Sequence, residues 1–229
     1  VSNLVSQTNI NNNLLEFEAL GVKTTGSTAN NNAYTWLKNK YLSFGYSESQ
    51  ITRDNFTYGG KSSSNIIITK QGSKYPNIFV IICGHYDTIN GPGTNDNGSG
   101  VSVILEVARL LKNINTEYSI KFINFSGEEQ GLIGSSHYVN NVVNATSPKM
   151  NIRLVLNIDE VGGIKGQTND TVTCERDESL NPSTNNTASN TFTQQLINCV
   201  KLYSPLKTNF SYAYSSDYVP FQTNGEIIT

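Results

Sequence analysis

Cysteine is scarce in this chain, and its spacing excludes a thiolate metal site: Cys83, Cys174 and Cys199 stand far apart, with no short pair among them. Cys83 belongs to the strand-like run Ile78-Phe79-Val80-Ile81-Ile82-Cys83 and reads as a buried thiol. Cys174 and Cys199 could form one disulfide, a question of geometry that spacing does not decide. No apolar stretch approaches the roughly 20 residues of a membrane span. A surplus of charge is also missing, with 16 Lys and Arg against 18 Asp and Glu for a net charge of -2. That excludes a basic footprint for nucleic acid, and no charged run is long enough to act as an interaction tail. Histidine is nearly absent, limited to His85 and His137. No internal repeat occurs, and nothing in the composition speaks to oligomeric state.

The 229 residues suffice for one α/β domain with a full core. Asn, Ser and Thr are abundant while Lys and Arg are modest, which suits an extracellular or periplasmic protein. The chain opens at Val1 without a visible signal peptide, as it would after one had been removed.

Residues 1–19 are predicted to hold a helix around Leu14, Leu15 and Phe17. Ala29 to Phe44 is predicted as another, with Tyr34, Leu37, Tyr41 and Leu42 at helical spacing and Gly45 as its stop. Ile51–Tyr58 and Asn65–Thr69 read as strands around a Gly59-Gly60 turn. Strands at Ile78–Cys83, Ser119–Phe125 and Ile152–Ile158 then alternate with helices at Gly98–Lys112 and Leu132–Val143. The alternation predicts a three-layer α/β domain, its central sheet mostly parallel and covered by helices on both faces. Right-handed crossovers bring the strand ends to one side. Gly162 to Asn190 reads as a polar surface excursion and Thr191 to Tyr203 as a helix burying Phe192, Leu196, Ile197 and Val200. Phe210 to Thr229 reads as loop and the beginning of a strand.

Four short blocks carry acids and the imidazole: Gly84-His85-Tyr86-Asp87-Thr88, Gly93-Thr94-Asn95-Asp96-Asn97-Gly98-Ser99-Gly100, Gly127-Glu128-Glu129-Gln130-Gly131 and Asn157-Ile158-Asp159-Glu160. Three follow an apolar β-branched run, and the fourth opens a helix. Alone, each has a plain structural explanation: a hydrogen-bonded loop histidine, a helix cap, a solvated acidic corner, a strand-exit acid. Together they place ligand-type side chains at the end of an α/β sheet where sites form. Asp87 is placed to orient His85. At the corner after Phe125, Glu128 and Glu129 diverge, so one can bind a metal while the other reaches its water.

These blocks resemble the co-catalytic zinc aminopeptidases, the family of secreted bacterial leucine-type aminopeptidases related to glutamate carboxypeptidase, transferrin receptor and the glutaminyl cyclases. The resemblance runs from about Thr24 to the end and includes Ser216-Asp217-Tyr218-Val219-Pro220-Phe221. It implies that Asp96 bridges two zinc ions, that His85 and Asp159 complete one ion's set, and that Glu129 binds the other. It further implies that Glu128 is the general base for a metal-bridging water, that Asp87 orients His85, and that Tyr218 and Phe221 lie near the substrate pocket. The implied substrates are peptides with a free N-terminus.

The chain departs from the family in several places. Asn97 stands where many relatives carry a second acid, and Glu160 replaces an apolar residue. The family's last ligand is a late-loop histidine, whereas His137 lies on a predicted amphipathic helix. The chain stops at Gly225-Glu226-Ile227-Ile228-Thr229 where the family enters its final strand. The expectation is a single zinc peptidase domain, 1–229, lacking its C-terminal end and one zinc position's histidine. Two other functions fit the same resemblance: a glutaminyl cyclase, which the Asp96-to-Gly100 block beside Glu128-Glu129 disfavours, and a catalytically inactive binding domain.

Overall fold

The computed structural model describes residues 2–178 and 183–229. Helices α1 (Gln7–Ala19) and α2 (Thr28–Ser43) each start on a serine that accepts an orphan backbone N–H, Ser6 from Asn9 at 3.2 Å and Ser27 from Asn30 at 3.1 Å. Strands β1 (Ile51–Tyr58) and β2 (Lys61–Lys70) form an antiparallel hairpin. Its turn residues Gly59 and Gly60 have φ of 55° and 75°, as a tight two-residue loop requires. Then come β3 (Tyr75–His85), α3 (Gly98–Leu111), β4 (Tyr118–Phe125), α4 (Ile133–Tyr138) and β5 (Asn151–Asn157).

The five strands order as β1-β2-β4-β3-β5. β3 pairs in parallel with both β4 and β5, as the strand–helix alternation predicts. The hairpin adds an antiparallel edge through β2 and β4, so the sheet as a whole is mixed. Ile228 continues the parallel half by bridging Val155, the predicted beginning of a strand.

Period-two burial puts helices on both faces. Ile66, Ile68, Ile82 and Phe122 face Phe17, Leu37, Tyr41 and Leu105. Ile67, Ile81, Ile123 and Phe125 face the opposite layer, with Tyr138, Val143 and Phe221.

The predicted surface excursion differs from the structure. It contains β6 (Thr171–Arg176), which pairs in parallel with β7 (Lys207–Tyr212) as a separate two-stranded sheet. Residues 179–182 of that reach lie outside the described residues. Helix α5 (Asn186–Tyr203) begins before the predicted Thr191, because its first turns bury Ser189 and Thr193 through hydrogen bonds and so lack an apolar signal. The predicted loop after Phe210 contains a short helix, α6 (Tyr218–Thr223). The second predicted helix after β4 is α-helical only through Tyr138 and continues as a π-helical turn over Val139–Val143. All three cysteines are free, Cys174 buried and Cys199 exposed, so they form no disulfide.

One buried cation ties the N-terminal layer to the sheet end. Lys23 is fully buried, and its Nζ donates to the carbonyls of Gly21 (2.6 Å), Pro92 (2.7 Å) and Phe17 (3.2 Å). Burial holds this ammonium down at about 8, against 10.5 for a free lysine, with the Glu18 charge opposing. Between those values the unfolded chain binds more protons at Lys23 than the folded one, so folding becomes more favourable as pH rises through the window. Relative to Lys23→Met, the native protein should therefore gain about 1–3 kcal/mol of stability from pH 8 to 10.5 in urea denaturation. A flat difference across that range would show that the ammonium is not desolvated.

Candidate metal centre

Parallel pairing in register brings the four blocks to one edge. His85 ends β3 opposite Phe125 of β4, and Cys83 lies opposite Asn157 of β5. Glu128 and Glu129 follow β4, Asp159 follows β5, and Asp96 precedes α3. The strand ends can crowd together because glycine stands at the contacts. A Cβ on Gly84 would lie 2.5 Å from the Ile158 carbonyl oxygen, and one on Gly100 only 2.3 Å from that same atom.

His85, Asp96 and Asp159 each offer a ligand atom within 4.8 Å of the others, the one such group among the described residues. His85 Nε2 lies 3.1 Å from Asp96 Oδ1 and 3.4 Å from Asp159 Oδ1. Its Nδ1 lies 3.1 Å from the backbone carbonyl of Asp87. A carbonyl only accepts, so Nδ1 carries the hydrogen, and in the neutral ring the Nε2 lone pair faces the two carboxylates. Asp159 Oδ1 is buried without a hydrogen-bond partner. An imidazole lone pair, an orphaned carboxylate oxygen and a second carboxylate at one point fit a divalent metal, zinc included.

Asp87 meets His85 Nδ1 through its main-chain carbonyl. Its carboxylate stands 3.7 Å from Nδ1 and serves another purpose. It accepts the backbone N–H groups of Glu128 at 3.1 Å and Glu129 at 3.2 Å, with the Thr25 hydroxyl at 3.3 Å. The sequence reading gave Asp87 only the histidine. The structure makes it the link between the ligand strand and the paired glutamates.

The electrostatics follow from burial and crowding. Burial pushes Glu128 up to about 7, opposed by His85 and reinforced by Asp159, Asp87 and Glu129. Burial also raises Glu129, and the Asp96 charge adds to it, so Asp96 acts on both the His85 cluster and Glu129. Asp159 is lowered: burial works against its charge, but the His85 ring and the Ser216 hydroxyl outweigh it. Burial opposes a charge on His85, but Asp159, Asp96 and Asp87 outweigh it and hold the ring well above the usual imidazole range, so a cation bound here would take the place of the Nε2 proton.

Two further side chains frame the cluster. Asn97 donates to the Ile158 carbonyl at 2.9 Å and accepts the N–H groups of Gly100 at 3.0 Å and Glu160 at 3.2 Å. A second acid here would lack the donor, which accounts physically for asparagine at this departure from the family. Ser216 donates to Asp159 Oδ2 at 2.6 Å and accepts from Asn157 at 2.8 Å. Ser216 lies inside a stretch already singled out by its motif, but its hydroxyl had no stated role.

Beside Asp159 opens a cavity of about 480 Å³, lined by Glu160, Val172, Glu175, Leu196 and Tyr218 among others. Tyr218 reaches it, its hydroxyl bonded to Glu175 at 2.8 Å. Phe221 does not. It is fully buried against Phe125 and Tyr138, so its expected place at the pocket is corrected to the core. His137 lies apart from the cluster, paired with Asp54 at 3.1 Å.

Residues 65–229 match the model of peptidase family M28. Aminopeptidase YwaD of Bacillus subtilis is 43% identical over 108 residues, covering 46% of this chain and 23% of that protein. A probable zinc metalloprotease of Pyrenophora tritici-repentis is 30% identical over 190 residues, covering 71% of this chain and 43% of that protein. The aligned segments thus span less than half the length of these relatives. The crystal structure of LapB from Legionella pneumophila superposes with a TM-score of 0.79 at 21% identity, covering 99% of this chain and 61% of that one, which reflects the shared fold.

The Ser216 contact generates a prediction. Ser216→Ala removes the donor that fixes Asp159 and should weaken zinc affinity roughly 10–100-fold without unfolding the protein. Competition with a chromophoric chelator measures this. Unchanged affinity would mean that the Ser216 hydrogen bond does not prepare Asp159 as a ligand.

Proposed function

This chain belongs to peptidase family M28, and we propose from that premise that it acts as a zinc-dependent exo-aminopeptidase on peptides with a free N-terminus. The observation that carries the reading is the convergence of His85 Nε2, Asp96 and the partnerless Asp159 Oδ1 at one point. Zinc held by these three residues would lower the pKa of a water toward neutrality and polarise the scissile carbonyl. Asp96, coupled in charge to both His85 and Glu129, would be shared with a second ion that Glu129 would help to hold.

Glu128 is the general base. A carboxylate raised by burial is suited to taking a proton from the attacking water and returning it to the leaving amine. Its main-chain N–H is fixed by Asp87, so the carboxylate starts from a set position. The substrate's α-ammonium is drawn to the surrounding acids, which limits cleavage to the first peptide bond.

Glu128→Gln should keep zinc and fold but lower turnover of aminoacyl-anilides by about 10²–10⁴-fold. Glu129→Gln should instead lose the weakly held second ion and keep the one held by His85, Asp96 and Asp159. The roles are reversed if Glu128→Gln empties the site while Glu129→Gln stays active. Cyclisation of N-terminal glutaminyl peptides without anilide hydrolysis would replace the peptidase reading with the cyclase one.

Ligand count sets a second expectation. His85, Asp96 and Asp159 give three protein ligands, a usual open catalytic set, whereas Asp96 and Glu129 alone hold zinc poorly. These 229 residues should bind one zinc tightly by elemental analysis after gel filtration. Two tightly held ions would show a ligand that the arrangement does not supply.

A further inference from the structure

The segment from Ser126 to Gly134 carries Glu128 and Glu129 from β4 to α4. Both of its ends meet one buried side chain, Asn65 of β2. Asn65 Oδ1 accepts the Ser126 N–H at 3.1 Å, and Nδ2 donates to the Gly134 carbonyl at 2.9 Å. The second hydrogen on Nδ2 goes to Asp54 Oδ2 at 2.8 Å. The amide thus takes one bond at the segment's entry, one at its exit and one to an anchor.

The anchor leads to the surface. Asp54 Oδ1 lies 3.1 Å from His137 Nε2, and Asn141 Nδ2 lies 3.2 Å from His137 Nδ1. With Nδ1 accepting, Nε2 carries the hydrogen and donates to Asp54. The clamp is tight: a Cβ on Gly134 would lie 2.3 Å from Asn65 Oδ1 and 2.1 Å from the Ser126 carbonyl oxygen. A second set of bonds holds the entry, with Ser126 Oγ taking hydrogen bonds from Ser63 at 2.9 Å and Asn30 at 3.0 Å.

We propose that Asn65 is a positioning residue for the reaction: by joining Ser126 to Gly134 it fixes the glutamate segment against the sheet, and Asp54 and His137 hold Asn65 in the required orientation. The proposal rests on Glu128 being the base. The Asp87 carboxylate grips the middle of the segment, and main-chain bonds from Ile133 to Gly127 (2.8 Å) and from Leu132 to Glu128 (2.9 Å) close it on itself. Asn65 fastens both ends of that closed segment to β2. A displacement of about 1 Å at a reacting group costs on the order of 10²-fold in rate.

Asn65→Asp is the test, because it keeps the shape and the acceptor but sets an oxygen against the Gly134 carbonyl and the Asp54 carboxylate. Expected are a kcat for aminoacyl-anilides lowered by about 10²-fold, an unchanged KM, unchanged zinc content and faster hydrogen exchange at the Ser126 amide. In the Glu128→Gln background the same substitution should cost nothing further, since it acts through Glu128. Asp54→Asn, which disturbs the clamp from one step away, should give a smaller kcat loss of the same kind, and it serves as the test if Asn65→Asp does not fold. Multiplicative losses in the double variant, or a change in KM with kcat intact, would overturn the positioning role. A Glu128→Gln variant that is fully active removes the base assignment instead. The clamp itself is then judged by exchange at Ser126, and slow exchange retained in Asn65→Asp would refute it.

Discussion

Negative charge crowded around one imidazole is the constraint on which the rest depends. Asp87, Asp96 and Asp159 all act on His85, and the Glu128 and Glu129 charges are coupled to the same group. Left alone, these carboxylates would repel one another or take up protons. Two of them are instead held by specific donors. The main-chain N–H groups of Glu128 and Glu129 serve Asp87, and Ser216 serves Asp159. A divalent cation held here would supply the remaining positive charge, so metal affinity and the local order of the fold would be two aspects of one electrostatic balance.

That balance depends on strand register. Because β3 pairs in parallel with both neighbours, the main chain after each strand emerges on the same side, and a shift by one residue would turn His85 to the opposite face. Glycine at positions 84 and 100 lets β3, the start of α3 and the end of β5 come within atomic contact. Asn97 then locks that contact through three hydrogen bonds, which sets Asp96 relative to Asp159. Packing and site geometry are thus decided by the same few residues.

Much of this was legible in the sequence, for physical reasons. Buried parallel strands are apolar runs, and an acid or histidine just after such a run interrupts the pattern visibly. His85, Glu128, Glu129 and Asp159 stand out that way, and Asp96 through its glycine-rich turn before α3. Helix α6 and strand β6 did not stand out, one because it is short and the other because it lies in polar sequence and is only partly buried. Phe221 was misplaced because the motif around it shows proximity to the site along the chain, while its ring turns into the layer with Phe125 and Tyr138. Asn65 has no sequence signal, since its two partners in the glutamate segment are main-chain atoms 61 and 69 residues away.

The abundance of asparagine and serine, which at first suggests only an extracellular setting, has a second explanation in the buried network. Asn30, Ser63, Asn65, Asn124 and Ser126 are all buried. The Asn30, Ser63, Asn65 and Ser126 contacts hold the base of the glutamate segment, and the Asn124 carbonyl oxygen receives the Tyr41 hydroxyl at 2.7 Å. Each of these side chains can donate and accept while carrying no charge. Aspartate in their place would accept as well, but it would lack the donors and add negative charge beside Glu128 and Glu129, already raised by burial and mutual repulsion. Lysine or arginine would neutralise the carboxylates and compete with the metal for them. Neutral amides and hydroxyls are therefore the side chains that can brace this site without changing its charge, which leaves the acids free to bind a cation.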